Sequence, residues 1–218
     1  MSPEVHACER ALQSAASDLY YISESDSPFE WFFIPADDLE RANLSTGSLP
    51  DTPAAFASIM YAHEPNANLR HVLAKCANAG QVPLYQPGSD SDDSPGVRDD
   101  AISTPSFSYF STSSASGSGI NINSSGSDDD FNASTPFHSR IQSIGEFFEP
   151  LMDEAASMGQ HKQFRELRDR FCLLFGMDPT ALSRCCVYRI GQREVGIYAV
   201  GIVPGEGIAG LKTLAIET

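Results

Sequence analysis

The residue types that most often carry chemistry are present, but not at the spacings that chemistry needs. Gly205-Glu206-Gly207-Ile208-Ala209-Gly210 matches G-x-G-x-x-G. It falls between two β-rich segments, whereas a dinucleotide fingerprint must open a helix whose N-terminus receives the pyrophosphate. No cofactor is therefore expected. His6, His63, His71, His138 and His161 show neither H-E-x-x-H nor a cysteine at zinc spacing, and all five are read as surface histidines. Cys185 and Cys186 precede an expected strand, where neighbouring side chains point to opposite faces, so at most one is exposed and neither has an evident base. There is no Walker loop and no G-x-S-x-G. The sequence gives no motif for an enzyme, and a protein whose work is contact is the expectation.

Two local features suit contact. Tyr21-Ile22-Ser23-Glu24-Ser25-Asp26-Ser27-Pro28 is a polar loop between a helix and a strand, and it sets Glu24 and Asp26, flanked by Ser23 and Ser25, at an exposed element end. At the other end of the sequence, Ile216-Glu217-Thr218 stops a strand with a carboxylate and a hydroxyl side by side.

Charge narrows the partner. The 218 residues carry 14 Lys+Arg against 29 Asp+Glu, a net charge of −15. Binding a nucleic-acid backbone needs clustered cations that release counterions, so direct nucleic-acid contact is excluded, while a basic partner is attracted. Seven acidic residues and no basic one lie between Asp18 and Glu40 (Asp18, Glu24, Asp26, Glu30, Asp37, Asp38, Glu40). No stretch is apolar enough for a membrane span or a signal peptide. Five cysteines without C-x-x-C spacing suit a reducing compartment. A cytoplasmic, monomeric protein is expected.

The elements that must position these features follow from pattern. Ser2-Pro3-Glu4 reads as a helix start, and Val5, Cys8, Leu12, Ala15, Ala16 and Leu19 recur at helical spacing to Leu19. Phe29 to Ile34 is a short aromatic run stopped by Pro35, as a buried strand would be. Helices are predicted over Leu69–Ala79 and Gln160–Phe175, each ended by glycine. Ile141–Met158 is also periodic but interrupted by Pro150. Cys186–Ile190, Glu194–Val203 and Ala209–Ile216 are β-rich and separated by Gly191-Gln192 and by Pro204–Gly207, which makes an antiparallel meander. The order indicates an α+β layered domain. In residues 86–140, 39 of 55 positions are Ser, Asp, Gly, Pro, Asn or Thr, too polar to offset ordering entropy. Residues 87–140 are thus expected to be a disordered insertion within one domain made of 1–86 and 141–218.

At the two contact features the sequence resembles the nuclease A inhibitor family, acidic proteins that block a sugar-non-specific, magnesium-dependent endonuclease. The resemblance runs through Ser23-Glu24-Ser25, Pro28-Phe29-Glu30, Val187-Tyr188-Arg189-Ile190-Gly191, Val195 to Gly201, Pro204, Ala209-Gly210 and Glu217-Thr218. It covers Leu12 to Asp38 and Ser183 to Thr218, and residues 41–140 have no counterpart. The resemblance implies a three-layer α-β-α sandwich of the PR-1-like type. It also implies that Glu24 meets the nuclease and that the Thr218 hydroxyl reaches a magnesium held by that nuclease, with Ser23, Ser25, Asp26 and Glu217 as neighbouring partner contacts. A different expectation is a generic interaction module whose insertion, through Ser89-Asp90-Ser91-Asp92-Asp93, is phosphorylated to recruit partners.

Overall fold

Three long strands at the C-terminal end organise the molecule. The computed structural model describes residues 1–87, 138–155, 157–176 and 184–217. In chain order the elements are α1 (Pro3–Ala15), β1 (Tyr20–Tyr21), β2 (Ser27–Pro28), β3 (Glu30–Pro35), α2 (Ala36–Arg41), α3 (Pro53–His63), α4 (Ala67–Ala79), β4 (Ser139–Gln142), α5 (Ile144–Phe148), a 3-10 turn (Pro150–Met152), α6 (His161–Phe175), β5 (Cys185–Gly191), β6 (Glu194–Val203) and β7 (Gly207–Ile216). The expected meander is β5-β6-β7, joined at the two expected turns. It is flanked by β3 on one side and β4 on the other, giving a five-stranded antiparallel sheet of order β3-β7-β6-β5-β4. A mixed α/β architecture with antiparallel sheets results.

Both faces of this sheet are covered, which is why its strands read as nearly continuous apolar runs rather than alternating ones. Cys185, Val187, Val195, Ile197, Ala199, Ala209, Leu211 and Ala215 pack with α1, α5 and α6. Cys186, Tyr188, Ile190, Tyr198, Val200, Ile202 and Ile208 pack with α2, α3 and α4. On the second face Phe56 stacks on Tyr188 with ring centroids 4.1 Å apart. Strand spacing leaves no room for a side chain at Gly210, where a Cβ would collide with the Ala199 carbonyl oxygen of β6. Gly210→Ala is expected to lower stability by about 2–3 kcal/mol in urea unfolding, and a loss under about 1 kcal/mol would show that the backbone yields there.

Helix α1 starts as expected, with the Val5 N–H donating to Ser2 Oγ. It ends at Ala15, four residues before Leu19, because Asp18 adopts a positive φ of 59° and turns the chain. Leu19 nevertheless stays in the core. The predicted strand at Phe29–Ile34 is β3, an edge strand half-buried rather than fully buried. The helices at Leu69–Ala79 and Gln160–Phe175 are α4 and α6. The periodic stretch from Ile141 instead begins as β4, with Ile141 opposite Tyr188, before Ser143 and Glu146 close a capping box on α5. Most of the expected insertion, 87–140, lies outside the described residues, but Ser139 and Arg140 pair in β4. Among the described residues no helix is long and apolar enough to cross a membrane.

Candidate functional site

The polar loop and the end of β7 are one structure. Tyr21 pairs with Ser27 in the short β1-β2 ladder, so residues 22–26 form the tip of a hairpin. The Thr213 hydroxyl of β7 donates to the Ser27 carbonyl at 3.2 Å, which lays this hairpin along β7. At the tip, the Glu24 N–H donates to the Ile216 carbonyl at 3.3 Å. Ser23 Oγ accepts from the Ile216 N–H at 3.3 Å and from the Ser25 N–H at 3.3 Å, and donates to the Ser25 carbonyl at 2.8 Å. One donor and two acceptor positions exhaust a hydroxyl. Ser23 is therefore committed to holding the loop on the strand.

Beyond β7 the Glu217 N–H donates to the Arg193 carbonyl at 2.8 Å, continuing the ladder into the β5-β6 turn. The Glu217 carboxylate turns back onto the Arg189 guanidinium of β5. A second Arg189 nitrogen donates to Tyr21 Oη at 3.1 Å, and the Tyr21 ring stacks on buried Phe147, 9° from parallel at 6.0 Å. Burial pulls the Arg189 pKa down, but the hydrogen bonds and charges of Tyr21 and Glu217 outweigh it and leave it above the ordinary value. Glu24 and Asp26 are exposed at the hairpin tip. Thr218 lies outside the described residues, directly after Glu217.

The acidic run does not form one face. β7 has ten residues, with Glu24 bonded at Ile216 and Pro35 opposite Gly207 at its other end. At about 3.3 Å per residue the two ends are about 30 Å apart. Asp37, Asp38 and Glu40 sit in α2, at the end remote from Glu24. Asp38 is engaged internally, accepting from Tyr85 Oη at 2.9 Å and lying 3.2 Å from Arg41 and 3.4 Å from His63.

The residues that suggested other chemistry are placed differently from expectation. His63 and His161 are half-buried rather than surface groups. Desolvation holds the His63 imidazole below its usual range, against the upward pull of Asp38. Cys185 and Cys186 lie within β5 and are both buried, one on each face. Burial pushes the Cys186 thiol up to about 12, so it is protonated at neutral pH and supplies no thiolate nucleophile. The Gly205–Gly210 run forms the β6-β7 turn and the start of β7, opening no helix. Among the described residues no group of three or more His, Cys, Asp or Glu side chains is placed to hold a metal ion.

Arg189 and Tyr21 are residues of this arrangement that sequence reasoning did not single out. The available signal was a lone charge inside Cys185-Cys186-Val187-Tyr188-Arg189-Ile190-Gly191, since a cation in a buried strand demands a partner.

No curated protein matches the chain. The family comparison covers β4 to β7 with α5 and α6, and therefore Arg189, Glu217 and Thr218, but not the Glu24 hairpin. Residues 128–218 match the family described as NuiA: Nuclease A inhibitor-like protein, and over this part the chain's resemblance to nuclease A inhibitors is shown.

Proposed function

We propose that the protein is a non-enzymatic inhibitor that binds and blocks the active site of a basic, metal-dependent, non-specific nuclease. Glu24 and Thr218 are its central contacts, and Asp26, Ser23, Ser25 and Glu217 shape the surface around them. One observation carries this reading: the exposed Glu24 loop is hydrogen-bonded to the end of β7, which leads directly to Thr218. The Glu24 loop and Glu217, 193 positions apart in the sequence, are thus held at one end of the sheet. A carboxylate at Glu24 can take the place of a substrate phosphate against a nuclease cation, as a charge-assisted hydrogen bond of the same polarity. A magnesium ion in the nuclease keeps exchangeable waters, and a hydroxyl oxygen such as that of Thr218 can replace one. The net charge of −15 favours encounter with a basic cleft and disfavours nucleic acid itself. Helices on both faces of the sheet accord with a PR-1-like α-β-α sandwich, and a monomer in the cytoplasm completes the proposal.

The test is inhibition of a magnesium-dependent, sugar-non-specific endonuclease by the full chain, by a variant lacking Thr218, and by Glu40→Gln. Glu40 is exposed on α2, remote from the site. Losing Thr218 is expected to weaken inhibition by at least about 10-fold, as for one lost charge-assisted contact, with Glu40→Gln within about 2-fold of wild type. Equal effects of the two changes, or no inhibition by the intact chain, overturn the proposal.

A further inference from the structure

We infer that Arg189 is the positioning residue of this surface, the brace that holds the Glu24 hairpin and the segment after β7 in a fixed relation. The inference rests on the inhibitor reading and adds to it how the hairpin and Glu217 are kept in register. Hydrogen bonds tie the tip to β7 at Ser23 and Glu24, both to the backbone of Ile216. At the hairpin's base the Thr213 hydroxyl holds Ser27, and the Arg193 carbonyl holds the Glu217 N–H, but none of these bonds joins the hairpin to Glu217. Arg189 makes that join, since one nitrogen reaches Tyr21 at the base of the hairpin and another reaches the Glu217 carboxylate.

Three features make this brace rigid. The Arg189 side chain is 12% exposed while Glu217 is 41% exposed, so the fixed partner is the arginine and the one it captures is the terminal segment. A planar guanidinium with its donors in a fixed fork loses less freedom per hydrogen bond than an ammonium on a flexible stem. Arg189 also stands opposite Arg140 in the β4-β5 register, where like charges repel. Glu217 offsets that repulsion from the other side, so the terminal segment is drawn to this position by the charge arrangement of the sheet. His138, Arg140, Arg189 and Glu217 border the cleft of about 340 Å³ that results. A surface whose hairpin and Glu217 are already held pays little entropy on binding, and that is the use of the brace to an inhibitor.

The experiment is amide hydrogen exchange on the full free chain as wild type, Arg189→Met, Arg189→Lys and Tyr21→Phe. Three amides report directly: Glu24, bonded to Ile216; Ile216, bonded to Ser23; and Glu217, bonded to Arg193. Arg189→Met is expected to speed exchange at all three by 10-fold or more, with the amides of Ala199 and Val200 in central β6 unchanged. Arg189→Lys is expected to recover part of the protection at Glu217. Tyr21→Phe, which keeps the ring on Phe147, is expected to loosen Glu24 more than Glu217. Unchanged exchange at the three amides, or equal acceleration throughout β6, overturns the inference. If Arg189→Met does not fold, Tyr21→Phe decides, and absence of local acceleration at Glu24 overturns the brace. Inhibition of the endonuclease above is measured on the same variants. Local loosening with no inhibition by wild type leaves the brace standing and removes the inhibitor reading, and inhibition by wild type with no loosening does the reverse.

Discussion

Replacing Lys212 by methionine is expected to destabilise the fold by about 3–5 kcal/mol, the range found when one partner of a buried ion pair is removed. Lys212 lies in the middle of β7, between Tyr198 of β6 and Glu30 of β3, and is 4% exposed. Its Nζ is 2.6 Å from Glu64 Oε1, and the Glu64 side chain is fully buried. Glu30, at 3.6 Å and mostly exposed, is a weaker second partner. Glu64 sits between α3 and α4, and the same oxygen accepts the Asn66 N–H at 3.0 Å. Asn66 in turn caps α4 by accepting from Asn68 and Leu69. Lys212 is thus the only cation within reach of a carboxylate that also organises a helix start, as far as the described residues go. Methionine fills the stem's volume but leaves that carboxylate with one N–H donor in an apolar layer, and an unpaired buried charge is what makes such losses large.

The double variant Lys212→Met with Glu64→Leu separates charge from packing. With both charges gone the desolvation cost of each disappears, and the double variant is expected to recover most of the loss despite carrying more changes. The Asn66 cap then keeps only its side-chain bonds, so recovery is not complete. Urea unfolding of the wild type, both single variants and the double variant closes the cycle. A single-variant loss under about 1 kcal/mol would mean that water reaches the pair and that it behaves as a surface one.

The same layer shows why some elements were legible in the sequence and others were not. The meander was legible because β-rich runs are punctuated by turn residues with a clear mechanism, and α4 and α6 because each buries only one stripe. Helix α3 was not, since Phe56, Ala57, Ser58, Ile59 and Met60 are all buried in succession. A helix enclosed on every side loses the 3.6-residue contrast by which amphipathic helices are found. Its Thr52-Pro53 start, with Thr52 accepting the Ala55 N–H, was the remaining signal. β4 is a polar edge strand of four residues that exists because β5 offers it a backbone ladder, and nothing in Ser139-Arg140-Ile141-Gln142 announces that.

The site divides in the same way. That residues 22–26 form an exposed polar loop could be read locally, because turn chemistry is local. That the loop rests on β7 could not, because the contacts that put it there join residues 168 to 193 positions apart, as Tyr21 with Arg189 and Ser23 with Ile216. Charge counting erred for a related reason. A run of seven acids along the sequence is dispersed by the fold: Glu24 and Asp26 lie at one end of β7, Glu30 stands opposite Lys212 in its middle, and Asp37, Asp38 and Glu40 lie at the other end, where Asp38 is engaged by Arg41, His63 and Tyr85. Composition gives the sign of the field but not its place.

That separation sets the second large effect. Glu24→Gln is expected to raise the inhibition constant against a magnesium-dependent, sugar-non-specific endonuclease by about 10- to 150-fold, the equivalent of a charged hydrogen bond's 1.5–3 kcal/mol. Glutamine keeps the size of the side chain and the Glu24 N–H that bonds Ile216, so the change removes the charge at the contact. A charge buried between the partners acts on dissociation, whereas charges at the rim act on association and its salt dependence. Glu24→Gln should therefore speed dissociation with little change in the slope of association against ionic strength. Asp26→Asn, exposed on the same tip, should slow association by a few-fold at low salt and lose its effect near 0.5 M, where screening shortens to about 4 Å. Glu40→Gln removes the same unit of charge about 30 Å away, beyond several screening lengths, and should do neither. If Glu24→Gln and Glu40→Gln weaken inhibition equally, the protein acts through its net charge alone, and the hairpin tip is not the contact.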